Sequence, residues 1–143
     1  MGDVPEWRRM MGVDNYADVT GLEVLAAEAG YAKVRLPVSD TIVNGHGNVH
    51  GGAYFTLADY TAAIASNMYG TPTVAVNGTI SFLSPVREGC LVAEARTVKS
   101  GRRMKFMTVE IRDAGGRLVA VFQGSSATVE RTIHNSQCEM RSS

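Results

Sequence analysis

The chain has little cysteine. Cys90 and Cys138 are its only two in 143 residues. They form no metal-ligand spacing, and Cys138 stands in a polar tail. A reduced, intracellular and cytoplasmic protein is the expectation. An excess of charge of either sign is also missing: 14 Lys and Arg face 14 Asp and Glu, for a formal net charge of +0. Nothing in that balance suggests a nucleic-acid surface or a membrane patch. No apolar run is long enough to span a bilayer. The first residues, MGDVPEWRRMMG, carry acids and no apolar core, so no signal peptide is expected. Internal repeats, linkers and low-complexity segments are absent too.

What is present is an ordinary globular composition, 45% apolar and 20% charged, at a length that suits one domain with a sizeable core. A single domain is expected over residues 1–131. A polar tail, expected from its composition to be disordered, follows over 132–143.

The organising stretch is His50 to Gly70, HGGAYFTLADYTAAIASNMYG. Gly51 and Gly52 open it, and Gly70 and Pro72 close it, as expected of a helix of about five turns. Its apolar residues go most of the way round, from Tyr54 and Phe55 through Leu57, Ala58, Ala62 and Ile64 to Met68. A helix apolar on all sides is a buried one. Asp59 is its only charge. A buried lone carboxylate costs several kcal/mol unless it is paired or reaches water. Either Asp59 has a structural partner, such as the hydroxyl of Tyr60 or Thr56, or it lines a cavity and does chemistry.

Around this helix the chain reads as follows. Asp3 to Met11 is expected as a short helix with Asp3 as N-cap and Gly12 as its stop. Asp14 to Thr20 reads as loop. Leu22 to Ala27 and Tyr31 to Val38 read as strands joined at Ala29-Gly30, the second alternating Ala32, Val34, Leu36 and Val38 against Lys33 and Arg35. Pro37 marks an edge position or a strand end. Ser39 to Val49 is a loop. After the helix, Thr73 to Phe82 sets Val74, Val76, Ile80 and Phe82 against Thr73, Ala75, Asn77, Thr79 and Ser81. Leu91 to Lys99 and Arg103 to Arg112 form a hairpin through Ser100-Gly101, and Arg117 to Val129 follows a strong turn at 113–116. The fold class is α+β: a short N-terminal helix and a six-stranded antiparallel sheet curved round one long central helix.

The loop before the helix reads Asn44-Gly45-His46-Gly47-Asn48-Val49-His50-Gly51-Gly52. A helix N-terminus offers unpaired N–H groups and the positive end of the dipole. The two glycines leave those groups open to approach. This suits an anion, or an oxygen that becomes one during reaction. With a carboxylate further along the helix, acyl transfer to water is the natural suggestion. Asp59 lies eight residues beyond Gly51, roughly 12 Å along the axis, so it cannot act on a carbonyl held by Gly51 of its own chain. An antiparallel second copy could bring its Asp59 there, which requires at least a dimer.

The pattern Asn-x-x-Gly-x-x-His-Gly-Gly-x-x-x-x-Leu-x-Asp, present as Asn44, Gly47, His50, Gly51, Gly52, Leu57 and Asp59, resembles the hotdog-fold acyl-CoA thioesterases of the phenylacetate-degradation (PaaI-like) group. The segment from Thr79 to Pro85 and the turn Lys99-Ser100-Gly101 are similar as well, and the resemblance covers roughly Gly21 to Val129. It implies a sheet wrapped round the helix, a homodimer that usually pairs into a homotetramer, and hydrolysis of an acyl-CoA substrate with no metal and no cofactor. Phenylacetyl-CoA or a hydroxylated aryl-acetyl-CoA is the substrate it suggests. By the same resemblance the Gly51 N–H receives the thioester oxygen with help from Asn44. Asp59 of the partner subunit activates water or attacks as nucleophile, and His50 helps to orient the thioester or leaving group. Some members hold the water with a serine or threonine in the next strand. That position aligns with Ala75 here, and Asn77 or Thr79 stand as its replacements.

Each residue also has a plainer account. Asn44 could cap a turn, His50 could serve only helix entry, and Gly51 and Gly52 could serve close packing. Lys99, Arg102, Arg103 and Lys105 could be a solvated hairpin tip, or they could bind CoA phosphates. His46 and His50 stand four apart across Gly47 with no acid between, which is no zinc motif. Two other functions compete: a 3-hydroxyacyl thioester dehydratase, whose histidine signature is not found, and a non-catalytic acyl-CoA-binding or sensing hotdog protein.

Overall fold

Residues 3–129 are described in the computed structural model of the protein. The expected tail at 132–143 and the far boundary of the domain lie outside them. Two short helices lead in, α1 (Glu6–Met11) and α2 (Asn15–Thr20). The hairpin β1 (Glu23–Glu28) and β2 (Tyr31–Pro37) follows, then the central helix α3 (Gly51–Asn67). Four strands complete the chain: β3 (Thr73–Phe82), β4 (Cys90–Ser100), β5 (Met104–Asp113) and β6 (Leu118–Thr128). All pairings are antiparallel, in the order β1-β2-β4-β5-β6-β3. Strands β2 and β3 are consecutive in the chain yet lie on opposite sides of the sheet. Helix α3 joins them by crossing its face.

That crossing explains the helix's composition. Tyr54, Leu57, Ala58, Tyr60, Thr61, Ile64 and Ala65 are buried at successive angles round the cylinder, and α3 packs on every strand. From the sheet, Ala32, Val34 and Leu36 of β2 and Leu91, Ala93 and Ala95 of β4 meet it, all fully buried. The expected alternation of β2 therefore holds, and Pro37 is a strand end. Helix α3 stops at Asn67, three residues short of Gly70, whose φ of 98° suits only a turn there.

Three expectations need correction. Asp3 does not cap α1; Pro5 stands at the N-cap and no side chain bonds there. The Asp14–Thr20 segment is not loop. Asp14 Oδ1 accepts the Ala17 N–H at 2.9 Å, and Gly21 ends α2 in the left-handed conformation. The side-chain acceptor and the terminal glycine supply what a six-residue helix cannot supply by propensity. Last, β3 does not alternate throughout. A register shift between Ala75 and Asn77 turns Thr73 and Ala75 towards α3, while Val74 and Val76 stay exposed. A bulge of one residue reverses the faces on its two sides.

Strand β3 is thus a ten-residue edge, with Val74, Val76, Phe82 and adjoining Leu83 all exposed. The opposite edge, β1, is shorter. Because Leu57 is fully buried at the centre of α3, Leu57→Ala should lower unfolding free energy by roughly 2–5 kcal/mol, as read from urea unfolding. A loss under about 1 kcal/mol would mean that the sheet collapses onto the vacated space.

Candidate active site

The loop before α3 is held by one side chain. Asn44 Oδ1 accepts the N–H groups of His46 at 3.0 Å and Asn48 at 3.1 Å, and the Asn44 N–H donates to the Asn48 carbonyl at 2.7 Å. Asn44 is a turn residue, as the plainer account has it. Its Nδ2 takes no part in the turn, and Asn44 lines a cleft of about 270 Å³ with Asn48, Gly51, Tyr54, Phe82 and Ser84. A single amide side chain can therefore order the loop through its oxygen and offer its nitrogen to a ligand.

His50 caps α3. Its Nδ1 accepts the Gly52 N–H at 2.8 Å, which puts the proton of a neutral ring on Nε2. The bond removes Gly52 N–H from the donors open to a ligand. Ala53 N–H and Tyr54 N–H both turn back to the His50 carbonyl. Among the described residues nothing accepts from the Gly51 N–H, so it is the helix donor left free at the cleft. The Phe82 ring closes over this point, and a Cβ on residue 51 would lie 3.3 Å from its Cζ. Glycine at 51 lets aromatic wall and open amide coexist.

Asp59 lies elsewhere. It is half-buried and lines a small cavity between α3 and the β3–β6 pair, with Ala62, Ala63, Ser66, Thr73, Ala75, Asn77 and Ser126 among its walls. Among the described residues its carboxylate has neither a hydrogen bond nor an ion pair. The Thr56 hydroxyl is engaged with Tyr16 and the Gly52 carbonyl, and Tyr60 does not reach Asp59. Burial first, and the negative charge of Asp14 second, raise the Asp59 pKa above the ordinary carboxylate value. A carboxyl held more protonated in the folded state than in the unfolded one loses stability as pH rises through its folded pKa. Above that pKa an ionised Asp59 therefore costs stability, which is expected of a group kept for chemistry.

Of the other expected site residues, Asn77 shares the Asp59 cavity, and its Oδ1 accepts from Ser125 Oγ at 3.2 Å. Thr79 is not in that cavity; it lines a separate hollow with Val98, Phe106 and Gln123. Lys99, Arg102 and Arg103 are exposed on the β4–β5 hairpin. That hairpin lies at the C-terminal end of α3: Lys105 Nζ stands 4.5 Å from the Tyr69 ring, and the Thr128 N–H reaches the Arg103 carbonyl at 2.8 Å. Lys105 is no free cation, being buried with Nζ bonded to Ser100 Oγ at 3.1 Å and the Gly101 carbonyl at 3.3 Å. No group of three His, Cys, Asp or Glu among the described residues could hold a metal ion. No helix among them is long and apolar enough to cross a membrane. The chain thus brings Asn44 and Gly51 together with His50 at the helix start, and keeps Asp59 and the hairpin cations apart from them.

Sequence reasoning missed Asn48 and Ser126. Asn48 Oδ1 and Ser126 Oγ are buried with no hydrogen-bond partner among the described residues, the first in the Gly51 cleft and the second in the Asp59 cavity. Asn48 stood inside the motif loop without a spacing to single it out. Ser126 reaches the site only through sheet register.

Comparison with known proteins agrees on one family. The thioesterase superfamily model matches residues 46–120. Acyl-coenzyme A thioesterase PaaI of Escherichia coli K12 is 35% identical over 121 residues, covering 84% of this chain and 86% of that protein. Human acyl-coenzyme A thioesterase 13 is 30% identical over 118 residues, covering 79% and 84%. Among solved structures, the E. coli PaaI protein from the phenylacetic acid degradation operon superposes with a TM-score of 0.83 at 33% identity, covering 89% of this chain and 93% of that one. PA5202 of Pseudomonas aeruginosa gives 0.80 at 32% identity, covering 87% and 100%.

The Asp14 charge near Asp59 makes a direct test of the electrostatics. Asp14→Asn removes a negative neighbour, eases ionisation of Asp59 and should move the acid limb of the pH–rate profile to lower pH. An acid limb that stays in place would separate the two carboxylates.

Proposed function

Because the chain belongs to the thioesterase superfamily and is an acyl-CoA thioester hydrolase on the hotdog fold, we propose that its active site is built from two copies of the chain. The observation that carries this is the division of the site. The open Gly51 N–H and the Asn44 amide share one cleft, Asp59 lies in another cavity, and eight residues of helix, roughly 12 Å, separate Gly51 from Asp59. The exposed apolar edge β3 adjoins the Asp59 cavity through Thr73, Ala75 and Asn77. Two copies paired along β3 would lie antiparallel and set each α3 N-terminus against the other's Asp59. A homodimer supplies this, and a homotetramer made of two such dimers keeps it.

In this reading the thioester oxygen sits on Gly51 N–H and Asn44 Nδ2, two donors placed for the charge that develops in the transition state. Asp59 of the partner subunit takes a proton from water or attacks the carbonyl itself. His50, fixed by its bond to Gly52 N–H, turns Nε2–H towards the leaving group at the rim. Phenylacetyl-CoA or a hydroxylated aryl-acetyl-CoA is the proposed substrate, supported by the similarity to the E. coli protein from the phenylacetic acid degradation operon. The apolar wall of Phe82 and Tyr54 beside Gly51 suits an aryl group. The hairpin cations Lys99, Arg102 and Arg103 lie a helix length, about 25 Å, from Gly51 of their own chain. Antiparallel pairing brings the partner's hairpin to the mouth, where it can meet the CoA phosphates.

Complementation tests the shared site. Asn44→Asp keeps the oxygen that orders the loop and replaces the free donor, so turnover should fall roughly 10²–10³-fold. Asp59→Asn should fold, pair and bind acyl-CoA while losing turnover steeply, with a melting temperature equal or higher. A mixed dimer of the two variants, isolated through two affinity tags, has one intact site in two and should regain about half the parent activity. A dead mixed dimer would place the whole site in one chain. Separately, alanine at Lys99, Arg102 and Arg103 together should raise KM for acyl-CoA and spare kcat, the mark of uniform binding. An unchanged KM would put the nucleotide elsewhere.

A further inference from the structure

The Asp59 cavity holds about 30 Å³, room for a water molecule and too little for an acyl group. Its hydroxyls are nearly all engaged. Ser66 and Thr73 bond one another at 2.7 Å, and Ser125 donates to Asn77. Asn67 is satisfied by the Ala63 carbonyl and the Thr73 N–H, at 2.8 and 2.9 Å. Ser126 differs. It is 7% exposed, and its Oγ has no partner among the described residues. Its neighbour across β5, Lys105, carries its ammonium away to Ser100, Gly101 and the Tyr69 ring. A buried hydroxyl left unpaired is destabilising, and a water in the cavity would satisfy it. On the other side of Ser126 its ladder partner is Ala75, a wall of the same cavity whose methyl group can hold no water.

We propose that Ser126 is the positioning residue for the hydrolytic water, acting from β6 alongside Asp59. This rests on the thioesterase reading of Asp59. Ser126 Oγ accepts one hydrogen of the water, the Asp59 carboxylate accepts the other, and a lone pair of the water oxygen is turned out towards the thioester on the partner subunit. Asp59 then takes the proton as the oxygen bonds to the carbonyl carbon, and the C=O pair moves onto the oxyanion. When the carbonyl re-forms, the C–S bond breaks, and the thiolate leaves with its pair and takes a proton from the Asp59 carboxyl. If Asp59 instead attacks first, the same held water hydrolyses the resulting anhydride.

Ser126→Ala removes the hydroxyl and no hydrogen bond within the chain. The melting temperature should be unchanged or raised, KM for acyl-CoA unchanged, and kcat at least tenfold lower. Ala75→Ser in the same chain places a hydroxyl directly across the ladder and should restore part of the loss. A kcat within twofold of the parent for Ser126→Ala overturns the proposal, as does a double variant no more active than Ser126→Ala. Asp59→Asn, assayed alongside, separates the two levels: activity in that variant ends the reading of Asp59, whereas an inactive Asp59→Asn with a normal Ser126→Ala ends only the role of Ser126. Should Ser126→Ala fail to fold, Ser126→Thr and Ser126→Val, equal in shape and different in the hydroxyl, make the comparison, and equal kcat in the two overturns the assignment.

Discussion

The rest of the molecule depends on covering α3. A helix buried over most of its circumference, with only the stripe of Gly52, Phe55, Thr56, Asp59 and Ala63 less covered, cannot lie on a flat sheet. The six strands curve round it, and the chain passes from β2 to the far edge through the helix itself. This fixes both ends of α3. The C-terminal end is tied down: the Gly30 N–H bonds to the Ala65 carbonyl at 3.0 Å, and Tyr69 OH donates to Thr97. The N-terminal end opens on a cleft, with His50 Nδ1 taking the Gly52 amide and the Gly51 amide left open. The helix is stabilised along its length and left incomplete where a ligand oxygen can complete it.

Unmet polar groups mark the same places. The buried side-chain atoms without partners among the described residues, Asn48 Oδ1 and Ser126 Oγ, fall one in each half of the divided site. Asp59, whose carboxylate has neither a hydrogen bond nor an ion pair among the described residues, lines the same cavity as Ser126. Elsewhere several polar side chains are matched to one another or to the backbone: Tyr31 to Glu94 at 2.6 Å, Arg35 to Glu23 at 2.7 Å, and Asp113 to the turn amides of Gly115 and Arg117. A folded chain keeps unmatched polar atoms where something from outside matches them.

What could be read from the sequence follows from how local each signal is. Strand β2 was legible because Ala32, Val34 and Leu36 alternate cleanly with Lys33 and Arg35, and the helix because its glycines punctuate both ends. The motif from Asn44 to Asp59 was legible because all its members lie on one loop and one helix. Helix α2 was missed: its signal is a single cap, Asp14, and a stop, Gly21, around a segment with no apolar stripe. The faces of β3 were misread because a bulge leaves no trace in the alternation of Val74 and Val76; only pairing with β6 reveals it. Ser126 was out of reach for the same reason, since its place in the Asp59 cavity depends on the register of β6 against β3, which comes from a distant part of the chain. Asn44 was read as either turn or donor, and its two side-chain atoms permit both.

The bulge in β3 connects these observations. By turning Thr73 and Ala75 inward it opens the Asp59 cavity, and by leaving Val74 and Val76 outward it makes the edge apolar. A ten-residue apolar edge with free amides and carbonyls is an aggregation hazard unless something pairs with it. Covering that edge and completing the site are, on the two-copy reading, the same event. The carboxylate that destabilises the single chain then meets the open helix terminus of the other, whose dipole favours negative charge nearby. Assembly would thus offset in one contact both the exposed edge and the buried charge, which gives a physical reason for an acyl-CoA thioesterase to keep the two halves of its site a dozen ångströms or so apart in one chain.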